Sequence, residues 1–85
     1  MHAVWKYPLA MTADPQTFQM PEGAMVLTVQ LQAQTITMWA RVDPAQPMEP
    51  RTFRIVGTGH PELTGEEGYC GTVQQDGSVW HVFEV

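Results

Sequence analysis

The segment A-M-V-L-T-V-Q-L-Q, residues 24–32, decides the fold class because apolar and polar side chains alternate along it. A period of two is typical of a β-strand that buries one face. The buried face is predicted to hold Met25, Leu27, Val29 and Leu31. No segment carries a sustained apolar stripe at helical spacing. We therefore predict an all-β domain with at most a short helical turn, folded as a compact antiparallel sheet or sandwich built from hairpins.

Further strands are predicted where alternation, β-branched residues or aromatic residues recur. These segments are residues 4–8, 35–42, 51–57, 69–75 and 78–85. In the second of them the inward positions are Ile36, Met38, Ala40 and Val42. The last segment carries large side chains on both faces, which indicates that one face contacts another subunit.

Turn residues separate these strands. Asp76-Gly77 is the strongest hairpin signal because both residue types tolerate a positive φ. Ala33-Gln34 is also predicted as a hairpin turn, although neither residue favours that geometry. Residues 20–23 are predicted as a turn, and residues 43–50, with their three prolines, as a loop. Residues 62–68 are predicted as an exposed loop.

The length of 85 residues supports one core, so we predict a single domain over residues 1–85. A core of this size supplies little net stability. Cys70 is the only cysteine, so no internal disulfide can add to it, which suits a reducing cytoplasm. Subunit association is the remaining source of stability, and we expect an oligomer.

Targeting and membrane signals are not evident in the sequence. The N-terminal residues 1–16 include Lys6 and Asp14 and lack the long apolar run of a secretory signal. No stretch approaches the ~18 consecutive apolar residues of a spanning helix. We expect a cytoplasmic protein with no membrane partner.

The net charge is −5, from nine acidic and four basic residues. This balance disfavours duplex DNA and long RNA, whose binding depends on neutralising many phosphates. Three of the four bases are nevertheless close in sequence: Arg41, Arg51 and Arg54. A local basic patch on an acidic protein suits a small anion better than a polymer.

Metal and nucleophile chemistry find little support. His2, His60, His81 and Cys70 match no compact zinc spacing, so we expect neither a metal nor a cofactor. Cys70 with a histidine would make a nucleophile and a base, but a cysteine in a strand is usually a compact apolar residue. The His-x-Thr and His-x-Ser elements of small phosphoesterases are absent. We predict that the protein is not an enzyme.

Two features suggest a ligand. In Gly57-Thr58-Gly59-His60, two glycines allow close backbone approach, and the hydroxyl and imidazole add donors for an anion; a plain strand-ending turn is the alternative. Trp39, Trp80 and Tyr69 offer rings on which nucleobases stack, with a second packing surface or a subunit interface as the alternative. Arg54 would grip a phosphate bidentately, unless it is a solvated edge charge.

Several motifs together resemble a known family. They are W-K-Y at 5–7, M-P-E-G-A at 20–24, M-W-A-R-V-D at 38–43, F-R-I-V-G-T-G-H-P at 53–61, Y-C-G-T-V-Q at 69–74 and W-H-V-F-E at 80–84. The chain resembles, from Trp5 to Glu84, the widespread group of small phage and prophage proteins in which anti-CBASS cyclic-nucleotide sponges have been recognised. The most specific elements are residues 57–61 and 80–84.

The resemblance implies a homo-oligomer, a tetramer, that acts in the cytoplasm of the host bacterium. It would bind a cyclic dinucleotide defence signal such as cyclic GMP-AMP without cleaving it, in pockets formed between subunits, so that the downstream effector stays inactive. The ligand-binding residues carried over by position are Arg54, Thr58, Gly59, His60, Tyr69, Trp80 and His81. Two alternatives remain open: a phage structural or assembly accessory with no nucleotide ligand, and a phosphodiesterase that degrades the signal.

Overall fold

Seven β-strands and no helix make up the protein, whose computed structural model describes residues 1–85. The strands are β1 (Ala3–Pro8), β2 (Gln16–Pro21), β3 (Met25–Gln32), β4 (Thr35–Val42), β5 (Met48–Gly57), β6 (Gly68–Gln75) and β7 (Ser78–Glu84). They hold 62% of the residues, and the predicted all-β class is confirmed. With no helix in the chain, there is none that is long and apolar enough to cross a membrane.

The strands form two antiparallel sheets that pack as a sandwich. The three-stranded sheet has the order β1-β4-β3, and the four-stranded sheet has the order β2-β5-β7-β6. Both two-residue hairpin turns have positive φ at both positions: 48° and 67° at Ala33 and Gln34, and 50° and 82° at Asp76 and Gly77. This is the type I′ geometry, which matches the twist of the paired strands and is imposed even on Ala33-Gln34. Gln75 Nε2 donates to Gln34 O at 2.6 Å, which joins the two hairpin tips.

Side chains from both sheets fill one core between the layers. The predicted inward face of β4 is correct, because Ile36, Met38, Ala40 and Val42 are all buried. The four-stranded sheet contributes Phe53, Ile55, Val73 and Val82 to the same cluster. The sheets are in close contact where Gly71 on β6 meets Val29 on β3: a Cβ on Gly71 would lie 2.8 Å from the Val29 Cβ.

A β-bulge in β3 corrects the prediction for residues 24–32. The pairing with β4 shifts between Val26 and Thr28, so Leu27 is an extra residue in the strand. An extra residue reverses the alternation on one side of the bulge. Val29 faces the core as predicted, whereas Met25 and Leu27 are exposed, at 52% and 49%, and Val26 is turned inward in their place. A second bulge interrupts β6 between Tyr69 and Gly71.

Strand pairing also extends into two segments predicted as turn or loop. Residues 20–21 end β2, and residues 48–50 begin β5, where Met20 pairs with Glu49 and Pro21 with Met48. Only residues 43–47 remain a loop. Proline has no backbone N–H to donate, and neither Pro21 nor Pro50 needs one here. Pro21 lies in β2, which is an edge strand, and Pro50 precedes Phe53, the first residue of β5 that pairs with β7.

Arg51 stabilises one end of the sandwich. Its Nε and Nη2 bond both carboxylate oxygens of Glu84 on β7, and its Nη1 donates to Ala24 O at 2.8 Å, just before β3. Hydrogen bonding to Glu84 raises the pKa of Arg51 above its ordinary value. We name Arg51, Glu84 and Ala24 the closed end, because each guanidinium nitrogen has a partner.

The predicted basic patch is wrong. Arg51 lies on the inward face of β5 and is bonded to Glu84, whereas Arg54, an odd number of residues away, lies on the outer face. Arg41 is on the other sheet, where it contacts Met25. Strand alternation and the separation of the sheets disperse the three positive charges over the molecule.

Candidate functional site

The segment Gly57-Thr58-Gly59-His60 is a tight turn at the end of β5. His60 N donates to Gly57 O at 3.1 Å, and Gly59 has φ +87°, the positive value that a type II turn requires at its third position. Thr58 N donates to Val79 O at 3.3 Å. The Thr58 and His60 amides are therefore used within the chain, whereas the Gly59 N–H makes no hydrogen bond. The turn offers one amide and the Thr58 hydroxyl to a ligand, fewer donors than a full anion cradle.

Two aromatic rings pack directly on Gly57. A Cβ at this position would lie 2.8 Å from His60 Cε1 and 3.1 Å from Trp80 Cζ3, both inside normal contact distance. Gly57 therefore allows both the His60 and the Trp80 side chains to lie against the backbone at the end of the strand. The space left by the missing Cβ of Gly57 is therefore occupied by the protein's own side chains, not left open to a ligand.

The same two rings border a pair of adjoining open pockets. One has a volume of about 320 Å³ and is lined by Gly57, Thr58, His60, Gly77, Ser78, Val79 and Trp80. The other has about 230 Å³ and is lined by Met11, Thr12, Ala13, Ile55, Gly57, His60, Glu62 and Trp80. We name the two together the end cleft. It lies between the Gly57 turn, the β6–β7 hairpin tip and the chain that follows β1.

A second group of predicted residues lies on the outer face of the four-stranded sheet. Tyr69 Oη is 2.6 Å from Thr72 Oγ1, which is 3.0 Å from His81 Nδ1. On the other side of the ring, His81 Nε2 is 2.8 Å from Thr58 Oγ1. We name these four side chains the hydroxyl–imidazole chain. The Tyr69 ring also packs edge-on against Phe83, with centroids 5.6 Å apart.

Arg54 shares this outer face but is held weakly. It lies opposite Phe83 in the β5–β7 strand pairing, and its Nη1 lies 3.5 Å from Glu62 O, at the limit of a hydrogen bond. Its Nε is buried and has no partner. The Glu62 carboxylate lies 3.6 Å from His60 Nδ1, so the Glu62 segment contacts both groups of residues. Arg54 is the only lysine or arginine that takes part in either group.

Strand alternation divides the seven predicted site residues. Arg54, Tyr69 and His81 lie on the outer face, and His60 and Trp80 line the end cleft. Thr58 belongs to both, because it lines the cleft and bonds His81. Gly59 is at the apex of the turn, with open space around its Cα. The structure thus brings the seven residues into two neighbouring surfaces that meet at Thr58.

Three residues at this site were not singled out from the sequence for the contacts they make: Thr72, Phe83 and Met11. The signal for Thr72 was present, because the Asp76-Gly77 turn fixes the register of β6 on β7 and places Thr72 opposite His81. Met11 lines the end cleft and is 55% exposed, but it follows a strand whose position on the sandwich no local pattern reveals. No three His, Cys, Asp or Glu side chains group closely enough to hold a metal ion.

Comparisons with known proteins give a single result. No curated protein and no solved structure matches the chain. A family model covers residues 1–85, the whole of the sequence. On that match, the chain belongs to the family described as Domain of unknown function (DUF7352).

Proposed function

We propose that this protein is a non-catalytic sponge that binds a cyclic dinucleotide such as cyclic GMP-AMP and keeps it from its effector. The resemblance described above implies this activity, its place in an infected bacterial cytoplasm, and a phage or prophage source. The observation that carries the proposal is the end cleft, where His60 and Trp80 line a pocket together with Thr58, next to the unbonded Gly59 N–H.

The end cleft offers the two kinds of contact that a nucleotide needs. Trp80 and His60 supply ring surface, and stacking of a base on an aromatic side chain contributes roughly 1–3 kcal/mol. Thr58, whose hydroxyl also bonds His81, lines the cleft, and the next residue carries the unbonded Gly59 N–H; both groups are suited to acceptor oxygens. Ring surface with a few convergent polar groups is the usual composition of a small-molecule site.

Arg54 is the candidate phosphate partner. Its present contact with Glu62 O is long, and its buried Nε is unpaired. A phosphodiester would give the guanidinium a charge-assisted bond of the kind that is worth roughly twice a neutral one. Glu62 also contacts His60, so an anion bound at Arg54 would lie next to a residue that borders the cleft.

The open shape of the cleft supports association of subunits. Ligand sites commonly bury roughly 70–90% of the ligand surface, whereas both pockets of the end cleft are open to solvent. A second copy would cover the side of the ligand that one protomer leaves exposed. The exposed Met11 at the rim supplies apolar surface for that contact. We propose a homo-oligomer, a tetramer, with the ligand between subunits.

Calorimetry with a panel of cyclic dinucleotides tests the proposal. We expect saturable binding to the wild-type protein and at least about a tenfold loss in Trp80→Ala, since one base would lose its stacking surface. Trp39→Ala is the matched control, because Trp39 lies on the other sheet, opposite Lys6. Absence of binding by any cyclic dinucleotide would overturn the proposal and favour a structural or assembly accessory.

Two further measurements separate the remaining alternatives. Chromatography of the nucleotide after the protein has been denatured should recover it intact, whereas cleaved nucleotide would identify a phosphodiesterase. Native mass spectrometry should show an oligomer with bound ligand. A monomer that binds ligand at full affinity would refute the pocket between subunits.

A further inference from the structure

The number of hydrogens in the hydroxyl–imidazole chain limits its hydrogen bonds to two possible directions of donation. A neutral imidazole carries one N–H and one bare nitrogen, and each hydroxyl carries one hydrogen. His81 therefore donates at one ring nitrogen and accepts at the other. Either Thr72 donates to Nδ1 and Nε2–H donates to Thr58, or Nδ1–H donates to Thr72 and Thr58 donates to Nε2.

Three arguments favour the first direction. A phenol is a stronger hydrogen-bond donor than an aliphatic hydroxyl, so the short 2.6 Å contact is best made by Tyr69 donating to Thr72. With its oxygen accepting from Tyr69, Thr72 can pass its own hydrogen to His81 Nδ1, and a chain in which each group accepts and donates in the same sense is strengthened cooperatively. The Nε2–H form is also the more stable tautomer of a free histidine ring.

We propose that Tyr69, Thr72 and His81 act as a relay that fixes Thr58 as a hydrogen-bond donor to an acceptor oxygen of the ligand. In this direction His81 Nε2–H occupies a lone pair of Thr58 Oγ1, and the Thr58 hydrogen is free. Thr58 is exposed and lines the end cleft. The cleft then presents the Thr58 hydroxyl as a donor and selects an acceptor, such as a phosphate oxygen or a base carbonyl. Tyr69 and Thr72 are positioning residues, and the inference rests on the proposed function for the identity of the ligand.

The tautomer of His81 in the free protein tests the relay without any ligand. Long-range ¹H–¹⁵N correlation spectra at about pH 8, where imidazoles in general are neutral, distinguish a protonated Nε2 from a protonated Nδ1. We expect Nε2–H in the wild type and in Gln74→Ala. Gln74 is a control on β6, the strand that carries Thr72, and its side chain makes no hydrogen bond. Thr72→Val should reduce the preference to that of a free imidazole, and Thr72→Ser should restore it. A wild-type ring protonated at Nδ1 would overturn the relay.

Affinity for cyclic GMP-AMP provides the second readout. Thr58→Val and Thr72→Val should each weaken binding about tenfold, with Thr58→Ser, Thr72→Ser and Gln74→Ala near wild type. Full affinity in Thr72→Val would contradict the relay even if Nε2 is protonated. Failure of the wild type to bind any cyclic dinucleotide would instead reject the proposed function, and the tautomer would then decide the relay by itself.

Discussion

The closed end and the end cleft lie on the same face of one strand and use their polar groups differently. Arg51 and Gly57 are both inward-facing positions of β5, six residues apart. At Arg51 three guanidinium nitrogens bond Glu84 and Ala24, so the polar groups serve the fold. At Gly57 two rings rest on bare backbone, and the nearby Gly59 N–H is unbonded. The contrast shows that the end of β5 at the candidate site keeps hydrogen-bonding capacity that the fold does not use.

The largest effect is expected at the closed end. Arg51→Ala would leave the partly buried Glu84 carboxylate without its cation and the Ala24 carbonyl without its donor. We expect a loss of about 3 kcal/mol in the free energy of unfolding, measured by urea denaturation. Arg41→Ala is the control, since Arg41 is exposed, and should change stability by less than about 0.5 kcal/mol. Equal effects of the two substitutions would remove the distinction between the closed end and the surface.

The next effect concerns the contact between the sheets. Gly71→Ala places a Cβ 2.8 Å from the Val29 Cβ and 3.3 Å from its backbone nitrogen, neither of which can rotate away. We expect overpacking to cost about 2 kcal/mol of unfolding free energy. Gly68→Ala, two positions before the second bulge, meets nothing within 4 Å and should be close to neutral. A neutral Gly71→Ala would show that the sheets separate more easily than the packing indicates.

Gly57→Ala provides a comparison with Gly71→Ala. The shortest distance from the new Cβ to another atom is 2.8 Å at both positions, but the side chain that the Cβ meets is different. The new Cβ would meet the ring of His60, a side chain that is 57% exposed and can swing into solvent. It would also lie 3.1 Å from Trp80 Cζ3, so the Trp80 ring has to shift by a few tenths of an ångström. We expect a stability loss below about 1 kcal/mol. Displacement of the ring from the end cleft should lower affinity for cyclic dinucleotides about tenfold, as measured by calorimetry. A large loss of stability with unchanged affinity would assign Gly57 to the fold alone.

The smallest effect is local and depends on pH. The exposed Glu67 carboxylate accepts hydrogen bonds from the backbone N–H groups of Thr64 and Gly65, at 2.8 and 2.9 Å, and these bonds lower its pKa from 4.5 to about 2. A lowered pKa means that the stabilising contribution is complete above pH 4.5 and is lost as pH falls towards 2. The amide resonances of Thr64 and Gly65 should shift over that interval. In Glu67→Gln the shifts should be absent.

Sequence reasoning succeeded where local chemistry decides the structure. The Asp76-Gly77 turn and the alternation in residues 35–42 were sufficient to place a hairpin and a buried face. The bulge at Leu27 was hidden because residues 24–27 are all apolar, so the pattern there does not tell which side chains face inward. The strand pairing of residues 48–50 was obscured by prolines that are tolerated only because of where the chain lies in the sheet.

The candidate site was predicted in part for the same reason. Trp80 and His81 are adjacent in a strand, so their opposite orientations follow from alternation, and a single pocket holding both was not to be expected. The bond between Thr58 and His81 joins residues 23 positions apart, and no local pattern reports it. Long-range contacts of this kind require the sheet order, which the sequence does not specify.

The bulges and prolines have a consequence for self-association. The four strands at the sheet margins are β1, β2, β3 and β6. β1 and β2 each end in proline, and β3 and β6 each contain a bulge. Both devices hinder docking of another chain by main-chain hydrogen bonding. Copies of this protein should therefore meet through side chains rather than by extending a sheet, and a concentrated stock should resist conversion to amyloid-like fibrils.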